Sequence, residues 1–260
     1  MTPTMLEFEI IGVPLLAGLL VVATHVPLGR EVLRRGIIFI DLAVAQIAGL
    51  GVIAALTLGW DAGGWQTQGI AVGSALLGAI LIHSFERHWP EIQEALIGIT
   101  FVMAATGGLL LLAGNPHGAE YLSELLAGQL LWVGADQLII TALAYLPVLL
   151  IWYWLGPGRI RFYLLFAVIV TASVQLVGVY LVFSSLVIPA VTIRRLQGIT
   201  AIAVGYGLGA SAFAGGLMCS LWFDWPAGPT VVWMLAFLGI ALGSVIGKLD
   251  SNNHDSSTRK

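Results

Sequence analysis

Residues 178–195 read G-V-Y-L-V-F-S-S-L-V-I-P-A-V-T-I-R-R, and the fold of the chain follows from this segment. Its apolar part is too long for a typical strand of a soluble protein, it contains Pro189, and Arg194 and Arg195 end it. A second Pro/Gly-rich segment, D-W-P-A-G-P-T-V-V at residues 224–232, opens the last apolar run. Transport proteins use broken hydrophobic segments to place irregular backbone at membrane depth, whereas a proline can also kink a bundle helix without any function. The two segments therefore predict broken helices.

The composition places the chain in a membrane. Hydrophobic residues make up 58% of it and charged residues 10%, and its mean hydropathy is +0.96, whereas a typical soluble domain contains about 25% charged residues. Apolar runs of roughly 17 to 25 residues predict membrane-spanning helices, because a membrane barrel would show short alternating segments. We therefore expect an all-α integral membrane protein, a polytopic helical bundle. The runs cover about residues 8–26, 37–58, 68–83, 95–113, 138–155, 161–194, 199–220 and 227–247.

Charge and cysteine content exclude several kinds of partner and site. The net charge of -3 and the lack of a basic tract argue against nucleic acid as a partner. Cys219 is the only cysteine, so the chain can form neither an intramolecular disulfide nor a cysteine-based metal cluster. The first apolar run has no basic segment before it and no clear cleavage site. We therefore expect a retained first helix, not a signal peptide.

The positions of lysine and arginine predict the topology, because basic residues favour the cytoplasmic ends of membrane helices. Arginine pairs at positions 159/161 and 194/195 flank one apolar region. If both pairs lie inside, the chain crosses twice between them, with roughly 17 residues per crossing, which is the lower limit for a spanning helix. The turn between these crossings falls near Gly178.

This arrangement gives nine crossings, an outside N-terminus and all eleven basic residues inside. One long helix over residues 161–185 would give eight crossings and leave one arginine pair outside. We therefore predict about 8–9 transmembrane helices in a single transmembrane domain, residues 1–247, followed by a polar, disordered cytoplasmic tail, residues 248–260. We also expect the first helix to end at Pro27, with residues 30–35 in the following loop.

Polar residues within the apolar runs are the candidates for a translocation path. Asp41 lies four positions after the start of its run, so a place in the path and a place at the helix end both fit it. Gln46 and Gln175 lie deeper, where a glutamine forms either an interhelical hydrogen bond or a substrate contact. Gly178 and Pro189, at the breaks, complete the predicted path.

Catalysis is not indicated by any motif. The sequence contains no G-x-S-x-G, no H-E-x-x-H and no P-loop, and no His/Asp/Glu cluster has the spacing of metal ligands. We expect no enzyme activity and no cofactor bound by this chain. An ATP-driven role would require a separate subunit that uses ATP.

Four stretches, in the same order as in the family, make the chain resemble the permease subunits of the bacterial zinc/manganese/iron ABC importers, which are related to the cobalamin and siderophore permeases. Two of these stretches lie in the C-terminal half and are the more specific ones. The four are R-R-G-I-I-F-I-D-L-A-V-A-Q-I-A-G-L-G (34–51), E-A-L-I-G-I-T-F-V-M-A-A-T-G (94–107), V-G-V-Y-L-V-F-S-S-L-V-I-P-A (177–190) and D-W-P-A-G-P-T-V-V (224–232).

The resemblance implies a fold like that of type II ABC importer permeases and a role in moving a divalent metal ion (zinc, manganese or iron) across the bacterial inner membrane by alternating access. It implies four kinds of partner: an ABC ATPase subunit inside, a periplasmic metal-binding protein outside, a second copy in a homodimer, and membrane lipid. The last of the four stretches implies a periplasmic motif formed by Asp224, Pro226, Gly228 and Pro229.

The chain departs from the family pattern in two places. Gln46 stands where family members commonly have a histidine, so the resemblance supplies no metal-ligand set. The cytoplasmic segment that resembles coupling helices in the family is reduced here to G-P-G-R-I-R at residues 156–161. Either the ATPase docks on the inside loops 84–94 and 191–198, or coupling differs in this branch. The candidate ATPase contacts are Arg87, Glu91, Arg194 and Arg195.

Two other functions fit parts of the sequence. A secondary transporter or channel that works without an ATPase would be consistent with the short segment at residues 156–161, but would favour paired buried ionisable residues and an inverted repeat. A membrane scaffold would make the Pro/Gly breaks incidental. Recovery of an ATPase subunit with the chain would separate the importer from both.

Overall fold

The structure, a computed structural model, describes residues 3–61, 64–115, 118–155 and 158–258, and its regular elements in these ranges are helices. A helix suits an apolar membrane segment because it pairs its own backbone N–H and C=O groups. Two short 3-10 helices, Pro90–Ile92 and Leu130–Trp132, lie in connections. The α-helices are α1 (Pro3–Arg35), α2 (Ile40–Thr57), α3 (Trp65–His88), α4 (Gln93–Leu112), α5 (Gly118–Ala127), α6 (Ala135–Leu155), α7 (Arg159–Val177), α8 (Val179–Thr192), α9 (Gly198–Phe223) and α10 (Ala227–Thr258).

Eight of the described helices are long and apolar enough to cross a membrane, and α5 and α8 are the two shorter ones. α8 has 14 residues, which corresponds to about 21 Å of helix. The predicted fold class, an all-α polytopic bundle with about 8–9 transmembrane helices, is confirmed.

A single residue, Gly178, separates α7 from α8. Its backbone has φ 83° and ψ 161°, a conformation that is essentially restricted to glycine. A Cβ at this position would lie 2.6 Å from the Cα atom of Gly128. The turn predicted near Gly178 is therefore present, and it requires a residue without a side chain.

α1 and α9 run antiparallel through the bundle. A Cβ added to Gly209 would lie 2.6 Å from Cγ1 of Val22, and one added to Gly205 would lie 2.8 Å from Cγ1 of Val26. Residues later in α1 therefore contact residues earlier in α9, so the two helices are antiparallel. Consequently the C-terminal end of α1 lies on the same side of the bundle as the N-terminal end of α9.

Further contacts place the ends of α3, α7, α8 and α10 on that same side. Arg35, the last residue of α1, forms an ion pair with Glu86 of α3 at 3.4 Å and lies 4.4 Å from the ring centroid of Phe162 in α7. Arg195, just after α8, lies beside Gly247 of α10. The chain therefore leaves this side along α7 and returns to it along α8.

Both arginine pairs consequently lie at one end of the bundle, which we call the basic end. Of the eleven lysines and arginines, all except Arg259 and Lys260 lie in the described ranges. The distribution of basic residues predicts that this end is cytoplasmic, and the contacts match the predicted return of the chain at Gly178. The basic end is defined by Arg30, Arg34, Arg35, Arg87, Arg159, Arg161, Arg194, Arg195 and Lys248.

The predicted end of the first helix at Pro27 is wrong. α1 continues through Pro14 and Pro27 to Arg35, so residues 30–35 are helical. A proline lacks the N–H that would bond the carbonyl four residues earlier, here that of Ala23. The hydroxyl of Tyr206 in α9 donates to this carbonyl at 3.1 Å, which satisfies the acceptor that Pro27 leaves free.

The region between α4 and α6 contains a short helix, as the mixed polarity of residues 115–137 indicates. α5 is amphipathic, with exposed Glu120 and Glu124 and half-buried Leu122 and Leu126. At the other end of the chain, α10 is helical as far as Thr258. The division into a transmembrane domain and a separate cytoplasmic tail after residue 247 stays a prediction.

Candidate functional site

A cavity of about 510 Å³ lies where α2, α4, α5, α8 and α10 meet. Its polar lining groups in the described part of the chain are Gln46 of α2 and Tyr180 and Ser184 of α8. The other lining residues are apolar, and they are Leu42, Phe101, Ala105, Leu109, Leu122, Leu126, Val179, Phe183, Pro229, Val232 and Trp233.

The lining of the cavity by α8 follows from helix geometry. Tyr180, Phe183 and Ser184 are spaced by three and four residues, so they share one face. Ser184 lies one turn after Tyr180, and its hydroxyl donates to the Tyr180 carbonyl at 2.7 Å. Because α8 starts at Gly178, this face is oriented by the turn at that glycine.

Gln46 is the member of the predicted path that reaches this cavity. It is 5% exposed, and with Leu42 one turn earlier it forms the α2 wall. An amide in a mainly apolar cavity can donate and accept hydrogen bonds, so Gln46 can contact a polar or hydrated cargo without carrying charge.

At the end opposite to the basic end, α5 brings the two Pro/Gly-rich segments together. The Ala127–Gly128 peptide packs against Val177 and Gly178, and a Cβ on Gly128 would collide with that backbone. A Cβ on Gly228, in the first turn of α10, would lie 2.5 Å from the carbonyl oxygen of Ala127. The sequence predicted both breaks but not their common contact with α5, because glycine spacing does not show which backbone approaches it.

The predicted periplasmic motif forms the tight connection between α9 and α10. Asp224 is exposed and caps α9 in the left-handed conformation, with φ 54°. The hydroxyl of Ser220 donates to the Trp225 carbonyl at 2.6 Å, and that of Thr230 donates to the Pro226 carbonyl at 2.7 Å. These bonds fix the entry into α10.

The motif residues have different places with respect to the cavity. Pro229 lines it, and Gly228 allows the close approach of α5. Asp224 and Pro226 are exposed in the connection.

Asp41 lies at a helix end. It is 1% exposed and lies in the first turn of α2. Nearby, the Phe39 N–H donates to Oε1 of Glu94 at 3.1 Å. Leu42 and Gln46 of the same helix line the cavity, whereas Asp41 does not.

Gln175 and Pro189 also lie away from the cavity that Gln46 lines. Gln175 is exposed, and its main-chain carbonyl accepts a hydrogen bond from the side-chain amide of Gln137 at 3.0 Å. Pro189 is buried within α8. Its neighbours Ile188 and Thr192 line a second cavity of about 590 Å³ between α8 and α10, near the basic end.

The four candidate ATPase contacts lie exposed at the basic end. Arg87 lies in the last turn of α3, and Glu91 lies in the 3-10 helix before α4. Arg194 donates to the Val191 carbonyl at 3.0 Å, and Arg195 follows it beside α10. All four stay candidate contacts, at the end of the bundle that the basic residues predict to be cytoplasmic.

Among the described residues, no group of three or more His, Cys, Asp or Glu could hold a metal ion. His25 is fully buried in α1, with Nδ1 at 2.9 Å from the Val21 carbonyl oxygen. His117 lies outside the described residues.

Known proteins resemble the chain over nearly its whole length. The sequence profile of the ABC 3 transport family matches residues 7–156 and 158–246. The high-affinity zinc uptake system membrane protein ZnuB of Haemophilus influenzae is 27% identical over 254 residues, which cover 89% of this chain and 95% of that protein. The solved structure of PsaBC from Streptococcus pneumoniae in complex with Fab matches with a TM-score of 0.72 and 21% identity, covering 91% of this chain and 92% of that one. The latter likeness shows a shared fold.

Proposed function

The chain belongs to the ABC 3 transport family, and we propose that it is the membrane-spanning permease subunit of an ATP-driven importer. It is a multi-pass protein of the inner membrane. It would not catalyse a reaction itself and would bind no cofactor, since ATP would be used by a separate ATPase subunit.

The proposed cargo is a divalent metal ion, with zinc as the first candidate and manganese or iron as the others. The support is that a relative similar to the chain over 89% of its length is named as part of a zinc uptake system. The proposed partners are the ATPase subunit at the basic end, a periplasmic metal-binding protein at the opposite end, and a second copy of the chain in a homodimer.

The observation that carries the proposal is the cavity beside the turn at Gly178. The α8 side chains of Tyr180, Phe183 and Ser184 line it, and α8 begins directly after the glycine. A change of angle between α7 and α8 would therefore alter the cavity wall opposite Gln46. Alternating access needs such an element with two arrangements.

Metal uptake by cells that depend on this chain tests the proposal. We expect Gln46→Leu, which is similar in size but cannot form hydrogen bonds, to lower zinc uptake by about tenfold at unchanged expression. Pro189→Ala should also lower uptake more than expression. Gln66→Leu, exposed at the start of α3, is the matched control and should transport normally. Normal transport by both Gln46→Leu and Pro189→Ala would refute the assigned path.

A secondary transporter or channel is the second candidate, favoured by one observation. α6 ends at Leu155 and α7 begins at Arg159, so the connection that resembles coupling helices in the family is very short here. Purification in mild detergent distinguishes the two functions. If the chain belongs to an importer, a subunit that binds ATP should co-purify with it, and uptake should fall when ATP is depleted. Absence of both outcomes would favour the second candidate.

A further inference from the structure

Arg35 joins three helices at the basic end. Its Nε donates to Oε1 of Glu31 at 2.7 Å, and its Nη1 donates to Oε1 of Glu86 in α3 at 3.4 Å. Its Cζ lies 4.4 Å from the ring centroid of Phe162 in α7. The side chain is 14% exposed, so these charge-assisted and cation–π contacts are partly shielded from water.

Both ends of the segment between α3 and α4 are connected to the same part of α7. At the α3 side, His83 lies 3.2 Å from Glu86, and its ring centroid lies 5.3 Å from that of Tyr163. At the α4 side, Nε2 of Gln93 donates to the Tyr163 hydroxyl at 3.0 Å. We call residues 83–94 the α3–α4 segment. Both of its ends contact Tyr163, near the N-terminal end of α7, and it contacts α1 through Arg35.

The middle of the α3–α4 segment is exposed and mixed in character. Arg87 and Glu91 are exposed charged residues, and Trp89 and Ile92 are each 52% exposed. An aromatic and an aliphatic side chain among charges is the composition expected of a protein contact surface with a polar rim. The segment thus combines an outward surface with an inward connection to α7.

The other inside loop, residues 191–198 at the end of α8, makes different contacts. Arg194 donates to the carbonyl of Val191, three residues earlier in its own chain segment. Arg195 lies beside Gly247 of α10. The first contact is with the end of α8, and the second is with α10, whereas the α3–α4 segment reaches α7, the helix that leads directly into Gly178.

We propose that the ATPase subunit contacts the α3–α4 segment, and that Arg35 is the positioning residue that transmits its movement to the α7–α8 pair. The inference rests on the proposed function and concerns the same inward transport. A displacement of the segment moves Glu86, which is bound to Arg35, and with it the Phe162 and Tyr163 turn of α7. Because α7 continues into Gly178 and α8, this movement reaches the cavity wall.

Arg34 provides a matched control for Arg35. It donates from Nε and Nη2 to the two oxygens of the same Glu31, at 2.9 and 2.6 Å, and its side chain is 70% exposed. Arg34→Gln and Arg35→Gln therefore remove the same charge from the same carboxylate. Only Arg35→Gln also removes the contacts with Glu86 and Phe162.

The test uses the complex purified with its ATPase subunit and reconstituted in liposomes. We expect Arg35→Gln to retain ATP hydrolysis but to lower the zinc moved per ATP by about tenfold, which is within the usual range of coupling between sites. Glu86→Gln, which leaves Arg35 and Glu31 paired, should lower this ratio in the same direction. Arg34→Gln should keep the ratio of the unaltered complex.

The role of Arg35 would be overturned if Arg35→Gln and Glu86→Gln moved as much zinc per ATP as Arg34→Gln. If Arg35→Gln does not assemble, the Glu86→Gln ratio alone decides in the same way. Failure to recover any ATP-binding subunit with the unaltered chain would instead refute the proposed function, so the two failures are distinguishable.

Cross-linking tests the contact surface directly. Two variants are made in a Cys219→Ser background: Glu91→Cys places a thiol on the α3–α4 segment, and Gln197→Cys places one on the loop at residues 191–198. A bifunctional maleimide then links the thiol to a neighbouring subunit. The ATPase subunit is identified by its labelling with 8-azido-ATP. We expect the cross-link from Glu91→Cys. Cross-linking from Gln197→Cys alone would overturn the assignment to the α3–α4 segment.

Discussion

Gly178 shows how one backbone conformation determines the path of the chain. With φ 83° and ψ 161°, it reverses the direction between α7 and α8 without a loop. Its Cα is also close to the backbone of Ala127 and Gly128. The residue thus meets two requirements, a positive φ and close backbone approach, and only glycine satisfies both.

Gly178→Ala should destabilise the protein. The unfavourable φ and ψ alone cost about 1–3 kcal/mol, and the added Cβ would collide with Gly128. We expect a lower thermal unfolding temperature in detergent and reduced zinc uptake. Gly73→Ala in α3 is the control, since a Cβ there meets nothing within 4 Å and alanine favours the helix. Equal unfolding temperatures for the two variants would contradict this account of Gly178.

The hydroxyl of Tyr206 compensates for a proline in another helix. Tyr206→Phe removes the hydrogen bond to the Ala23 carbonyl, which Pro27 cannot satisfy. We expect a loss of about 1 kcal/mol in the free energy of unfolding, measured by denaturation in detergent. In a Pro27→Ala background the new N–H can bond that carbonyl, so the same substitution should cost less. Equal costs in both backgrounds would disprove the compensation.

At the scale of helices, small residues set the distance between α1 and α9. Gly205 and Gly209 face Val26 and Val22, and such spacing lets backbones approach where lipid gives no apolar driving force. The contact also places Tyr206, on the same helix, within reach of the Ala23 carbonyl. Close packing and proline compensation therefore depend on one interface.

Gly209→Val should separate these helices. Because Val22 already occupies the space that a Cβ would need, overpacking should cost about 1–3 kcal/mol. Gly207→Val on the same helix is the control, since a Cβ there meets nothing within 4 Å. Thermal unfolding of the two purified variants measures the difference. A loss in Gly207→Val as large as that in Gly209→Val would point to helix propensity as the cause, not packing.

At the scale of the whole molecule, the directions of the helices bring the basic residues to one end of the bundle. The described lysines and arginines lie at one end. At the opposite end, Asp61 and Asp224 are exposed in connections and Glu124 is exposed on α5. This distribution depends on α8, because α7 and α9 both run away from the basic end. Without a return along α8 the chain could not enter α9 there.

Cysteine labelling checks this topology. In a Cys219→Ser background, we expect Gln197→Cys to react with a membrane-impermeant maleimide only after the membrane is opened, because residue 197 lies at the basic end. Ser123→Cys, exposed on α5, should react in intact cells with a permeable outer membrane. Labelling of Gln197→Cys from the periplasmic side would refute the nine-crossing arrangement.

Much of the fold could be predicted from the sequence because lipid imposes strict rules. Hydropathy identified the helices, and the arginines at 159/161 and 194/195 required a turn near Gly178. The end of the first helix could not be predicted, since the donor to the Ala23 carbonyl is Tyr206, which is distant in sequence. Gln46 reaches the cavity between α2, α4, α5, α8 and α10. Gln175 does not, because it is exposed and lies two residues before the end of α7, beside the turn at Gly178.

The sequence by itself determined the membrane class, the helix count to within one and the gathering of the basic residues at one end of the bundle, because apolar length and basic residues act locally against lipid and the membrane surface. Its resemblance to metal-ion ABC permeases is confirmed by the family match. Only the tertiary structure decided that α5 holds the two Pro/Gly breaks together, that α8 lines a cavity with Gln46, and that Arg35 links α1, α3 and α7. These features depend on which surfaces of distant helices meet, and hydrophobic periodicity does not encode that pairing.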